Sequence, residues 1–92
     1  MNAILKAKGG VIETEPKNGR FFTDEELQAI VGGYFVILFI DEGNHILVLN
    51  ENDKECPWIN SYATYLAWQH RAISREEMIC GDVLLCERPT IH

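Results

Sequence analysis

The sequence predicts an α+β fold: a small, mainly antiparallel sheet of about five strands with two helices, in the order β-β-α-β-β-α-β. Three observations predict it. Two helical segments carry recognisable caps, at Thr23 and at Asn60 or Ser61. Two apolar runs, 34–40 and 45–49, are joined by a four-residue polar loop, as in a hairpin. Short β-rich segments stand at both ends of the chain. With 92 residues, 47% of them hydrophobic and 24% charged, the chain makes one domain over 1–92. Residues 1–20 form its N-terminal strands and 88–92 its tail.

The elements follow in order. Asn2 to Lys8 forms a short strand, turned by Lys8-Gly9-Gly10. Val11 to Glu15 is β-rich and ends at Pro16. Pro16-Lys17-Asn18-Gly19 is a turn, because proline presets φ and Asn-Gly reaches positive φ cheaply. Thr23 and Glu26 make a capping box: the Thr23 hydroxyl accepts from the Glu26 amide, and the Glu26 carboxylate reaches back. Phe22 and Leu27 are placed for a hydrophobic staple, and Asp24, Glu25 and Glu26 favour the positive helix end. Gly32 and Gly33 stop the helix after about two turns.

Tyr34 to Ile40 is unbroken apolar and aromatic sequence, which predicts a strand covered on both faces. Asp41 to Asn44 is the hairpin loop and His45 to Leu49 the return strand. Asn50 to Glu55 is polar loop, and Cys56-Pro57-Trp58 is extended because a residue before proline avoids the helical region. In the second helix Tyr62, Tyr65, Leu66, Gln69 and Ile73 mark one face; Ala63, Ala67 and His70 mark the adjacent one. Ser74 to Glu77 predicts one more helical turn through a second capping box. Gly81-Asp82 is a turn that launches the strand Val83 to Glu87.

Charge excludes some functions. The net charge is −6. It is uneven, +2 over residues 1–20 and −8 over the rest. Such a surface repels phosphate backbones, so no nucleic-acid partner is expected. The longest apolar run, 34–40, is too short to cross a bilayer, so no membrane partner is expected. Cys56, Cys80 and Cys86 cannot all pair within one chain. With no signal-like N-terminal segment, they predict reduced thiols and a cytoplasmic location.

Candidate chemistry is sparse. Gly32-Gly33 follows a helix C-terminus, where carbonyls point outward, so it is a cap and not a phosphate cradle. Gly9-Gly10 precedes β-formers instead of a helix. Cys56, His70, Cys80 and Cys86 lack the close C-x-x-C spacing of a metal site, so no metal or cofactor is expected. No cysteine begins a helix where a thiolate would be favoured, and none is placed by sequence beside His45, His70 or His92. The acids Asp24, Glu25, Glu26, Asp41, Glu42, Glu51, Asp53 and Glu55 sit in caps and loops. Asp82 is the acid best placed to bond turn amides.

Trp58, Tyr62, Tyr65 and Trp68 cluster on and before the second helix. They cannot all face inward from one narrow stripe. Aromatic surface with Arg71 beside it is the composition of a protein–protein contact.

Four blocks of sequence resemble the domain-of-unknown-function family 3846. Phe22 to Tyr34 resembles its L-Q-x-x-V-G-G-Y junction, and Leu47 to Asn52 its V-V-N-E-x segment. Asn60 with Ala63 and Thr64 is similar to its N-x-x-A-T helix start. Ile79 to Cys86 is similar to its closing I-x-G-D-x-L-x-x strand. The segment before Gly81 is longer than that pattern, and Trp68 and His70 are additions to it. The resemblance implies a protein of bacterial, phage or mobile-element genomes and brings no activity, so no catalytic residue follows from it.

The resulting expectation is a non-enzymatic accessory protein that binds a protein partner or itself through Trp58, Tyr62, Tyr65, Trp68, Arg71 and Asp82. Thr23, Glu26, Gly32, Gly33, Asn60 and Gly81 are the structural positions. The alternative is a small-ligand pocket between the sheet and the second helix, lined by Tyr34, Trp58, Tyr62 and Asp82.

Overall fold

A computed structural model describes residues 2–52 and 58–87. The expectations for Asp53, Glu55, Cys56, Pro57 and the 88–92 tail, with His92, lie outside the described residues. Five strands form: β1 (Ala3–Leu5), β2 (Val11–Glu13), β3 (Phe35–Ile40), β4 (His45–Asn50) and β5 (Val83–Glu87). Two helices accompany them, α1 (Asp24–Val31) and α2 (Ser61–Gln69). Class and element order are those the sequence predicts. All four pairings are antiparallel, and the strands lie in the order β2-β1-β5-β4-β3.

Strand alternation sorts the core into two layers. Leu47, Leu49, Val83 and Leu5 point to one face, where Ala63 and Ala67 of α2 cover them. Ile46, Val48, Leu84 and Cys86 point to the other, under Phe22, Leu27 and Val31 of the α1 segment. The sheet is therefore sandwiched between the helices, and β4 is buried at its four central residues.

The strand expected to be covered on both faces is corrected here. Residues 34–40 hold the sheet edge, and Tyr34, Val36 and Phe39 are exposed. The two-sided strand is its hairpin partner β4, because β5 pairs along the far side of β4. An apolar run reports affinity for a core, not position in a sheet.

The predicted cap of α1 forms. The Thr23 hydroxyl accepts from the Glu26 amide, and Glu26 accepts from the Thr23 amide. Glu26 also accepts from the Lys17 amide at 3.2 Å, which ties the Pro16–Gly19 turn to α1. The amides of Thr23 and Lys17 hold the Glu26 carboxyl below its ordinary pKa. Phe22 and Leu27 are buried in one cluster, as the staple requires. Gly32 takes the left-handed conformation at φ 86°.

The turn at 74–77 is a second correction. Glu77 accepts from the Ser74 amide at 3.1 Å, so half the capping box exists. No helix grows from it. The next residues pair elsewhere: the Ile79 carbonyl accepts from the Asn60 amide, and the Ile79 amide donates to the Thr64 hydroxyl. A bridge between Ile59 and Cys80 completes this link.

Candidate protein-binding face and the adjoining cleft

The face of α2 is decided by its small residues. Ala63, Thr64 and Ala67 turn inward, which lets the helix approach the sheet closely. Tyr62 and Tyr65 therefore turn out, 54% and 62% exposed. Ile59 before the helix and Met78 after it are also exposed. Ile59, Ser61, Thr64, Trp68 and Met78 line a shallow groove of about 300 Å³. Tyr65 stands one helical turn from both Ser61 and Trp68, at the groove's flank.

Trp68 is not spare surface. It is half-buried, and its indole Nε1 donates to the carbonyls of Ser74 at 2.9 Å and Glu77 at 3.0 Å. The Arg75 guanidinium lies 5.8 Å from its ring centre. Trp68 thus holds the 74–77 turn against α2. Arg71 is exposed and ends the helix in left-handed conformation, φ 58°. Its amide bonds the Trp68 carbonyl while the Ala72 amide bonds the Ala67 carbonyl, which is a Schellman closure.

Trp58 and Asp82 sit apart from that groove. With Lys6, Ala7, Lys8 and Gly81 they line an open cleft of about 370 Å³. The Lys8 ammonium lies 4.6 Å from the Trp58 ring centre, a cation–π contact. Asp82 accepts from Lys6 Nζ at 2.6 Å and from the Ala7 amide at 3.0 Å. Partial burial raises the Asp82 pKa. The Lys6 and Ala7 hydrogen bonds and the charges of Lys6 and Lys8 outweigh it, so the carboxyl lies below its ordinary value. Tyr34 lines a neighbouring cleft with Gly32, Gly33 and Asn50. Tyr62 lines neither cleft. The four residues expected to share one small-ligand pocket are therefore not brought together.

Asn60 is the best-connected predicted position. Its Oδ1 accepts from the Ala63 amide, and its Nδ2 donates to the carbonyls of Leu5 and Gly81, each at 2.8 Å. Gly81, φ 80°, donates its amide to the Trp58 carbonyl. Asn50 supports the double glycine: its Nδ2 donates to the Val31 carbonyl, and a Cβ on Gly33 would lie 3.3 Å from that nitrogen. The two glycines end α1 and admit Asn50.

The remaining polar residues pair locally. His45 Nδ1 lies 3.0 Å from Asp41 Oδ2, and His70 Nδ1 accepts from the Asp41 amide. Cys86 is buried and Cys80 half-buried. Among the described residues no three His, Cys, Asp or Glu gather to hold a metal, and no helix is long and apolar enough to cross a membrane. Sequence reading missed Ile59 and Met78, whose segments are brought together by the Ile59–Cys80 bridge and by the bonds of Asn60 and Thr64 to Ile79. It also missed the pairing of Lys6 with Asp82 and of Lys8 with Trp58, which join segments distant in the chain. Clustered lysines near the N-terminus were the available signal, with nothing to show what they face. No family model, no curated protein and no solved structure matches this chain.

Proposed function

We propose that this chain is a small non-enzymatic accessory protein of the cytoplasm that acts by binding another polypeptide, a partner protein or a second copy. One observation carries the reading: Tyr62, Tyr65, Ile59 and Met78 are all exposed on or beside α2, and Ile59 and Met78 line a shallow groove with Ser61, Thr64 and Trp68. Exposed apolar and aromatic surface of this kind marks interaction sites, and tyrosine is enriched at their energetic centres. Arg71 is exposed just beyond α2 and Arg75 lies against Trp68, and these cations favour an acidic rim on the partner. The four blocks that resemble family 3846 imply a bacterial, phage or mobile-element origin and bring no activity.

The double variant Tyr62→Ala/Tyr65→Ala tests it. Both side chains are exposed, so stability should move by no more than about 0.5 kcal/mol per site. A partner identified by capture and then purified should bind the variant at least about 30-fold more weakly. Unchanged binding by the purified pair would sink the reading.

A second reading has one observation behind it. Trp58, Lys6, Lys8 and Asp82 do share a cleft, which offers a flat aromatic surface and cations to a small anionic ligand. A ligand there raises the melting temperature with its concentration.

A further inference from the structure

Among the described residues no strand lies beyond β3. The phase of its backbone follows from one bond: the Tyr34 carbonyl accepts from the Glu51 amide at 2.9 Å. From there the ladder runs in unbroken register from Phe35 opposite Asn50 to Ile40 opposite His45. Hydrogen-bonded and non-bonded pairs alternate in an antiparallel ladder. Residues 36, 38 and 40 therefore aim their amides at β4, while Phe35, Ile37 and Phe39 aim theirs outward. These three positions are symmetric about Ile37.

Proteins blunt open edges with charge, proline or shortness. The opposite edge does so. β2 is three residues long, contains Glu13, and lies between Lys8 and Pro16. β3 is six residues long and reads Phe-Val-Ile-Leu-Phe-Ile, with no charge, glycine or proline.

We infer that β3 pairs antiparallel with β3 of a second copy about a two-fold axis at Ile37, so that two five-stranded sheets become one continuous sheet. This deepens the proposed function by naming a second copy as a partner, and it rests on the reading that the protein acts through polypeptide contacts. In this register Ile37 faces Ile37, Phe35 lies opposite Phe39 of the second copy, and Val36 lies opposite Leu38. Val36 is 39% exposed and Phe39, which keeps contacts within its own chain, is 57% exposed. Each gains an apolar neighbour on its own face of the sheet. Charge selects the orientation. The antiparallel register sends the Asp41–Glu42 turns that follow β3 to opposite ends of the seam. A parallel one gathers both turns at one end, between chains that each carry −6. The strip is neutral, apolar and its own complement, so a second copy fits it without a like-charge contact.

Sedimentation equilibrium and amide exchange on the whole chain test the inference. The expected mass at micromolar concentration is twice the 10.5 kDa of one chain. The Phe35 and Ile37 amides should exchange slowly and speed up on dilution. The double variant Val36→Lys/Phe39→Lys should halve the mass and speed both amides, with the circular dichroism of the fold retained. Val36→Lys alone is the milder variant should the double one not fold. Tyr62→Ala/Tyr65→Ala should keep the doubled mass whatever it does to partner binding, which separates this edge from the α2 face. A mass of one chain at millimolar concentration with a fast Ile37 amide overturns the inference. So does a doubled mass that survives Val36→Lys/Phe39→Lys, or one that Tyr62→Ala/Tyr65→Ala abolishes, because another surface then joins the copies.

Discussion

Asn60 is 1% exposed, and its side chain satisfies one amide and two carbonyls from three separate parts of the chain. Asn60→Ala leaves all three without that partner, and a buried group that loses its bond costs about 1–3 kcal/mol. The expected loss of stability is about 3 kcal/mol or more, read by urea denaturation; a loss under about 1 kcal/mol would contradict this account. Asp82 makes a pH-dependent contribution. Its carboxyl pKa is lower in the fold than in the unfolded chain, so in the acid range the unfolded chain binds the proton more readily. Stability from this group is complete above the ordinary aspartate value of about 3.9 and is lost as pH falls through the lower folded value. Denaturation measured against pH should show a shallower acid limb in Asp82→Asn than in the parent. An unchanged limb would mean that Lys6 and Ala7 do not favour the ionised form.

At the scale of elements, the two helices end differently. α1 ends at Gly32, where a left-handed residue carries no Cβ clash. α2 ends at Arg71, which adopts the same conformation with a side chain. That conformation costs an ordinary residue roughly 1–2 kcal/mol, partly offset in a glycine variant by the greater freedom of its unfolded chain. Arg71→Gly should therefore raise stability by about 0.5–1 kcal/mol. If Arg71 also serves the α2 face, partner binding falls while the melting temperature rises. A variant less stable than the parent would show that the guanidinium, and not the backbone, governs this cap. The 74–77 turn shows the reverse case, where good local signals fail. Its acids and serine suit a helix start, yet Trp68 grips its carbonyls and Ile79 is claimed by Asn60 and Thr64. Long-range bonds outweigh a propensity of a few tenths of a kcal/mol per residue.

For the whole molecule, sheet order assigns the roles. Placing β5 between β1 and β4 buries the closing strand, brings both chain ends together at Lys6 and Asp82, and leaves β3 as an uncharged edge. The candidate surfaces follow from that order. α2 covers one face with its alanines and presents tyrosines outward, while α1 covers the other.

What the residues alone determine here is whatever closes within one turn or one hairpin. The Thr23–Glu26 box, the Gly32 stop, the Asp41–Asn44 loop and the Asn60 cap all bond partners three or four positions away, so type and spacing suffice to read them. The class and element order follow from these. The tertiary structure decides what depends on partners distant in the chain. The Ala7 amide reaches Asp82 across 75 residues, and the Asn60 side-chain Nδ2 reaches the Leu5 carbonyl across 55. Which apolar strand becomes the edge, and which side of α2 meets the core, are settled by the same competition for a limited buried area. No local pattern encodes the winner, because several arrangements bury similar sequences and only the packed whole distinguishes them.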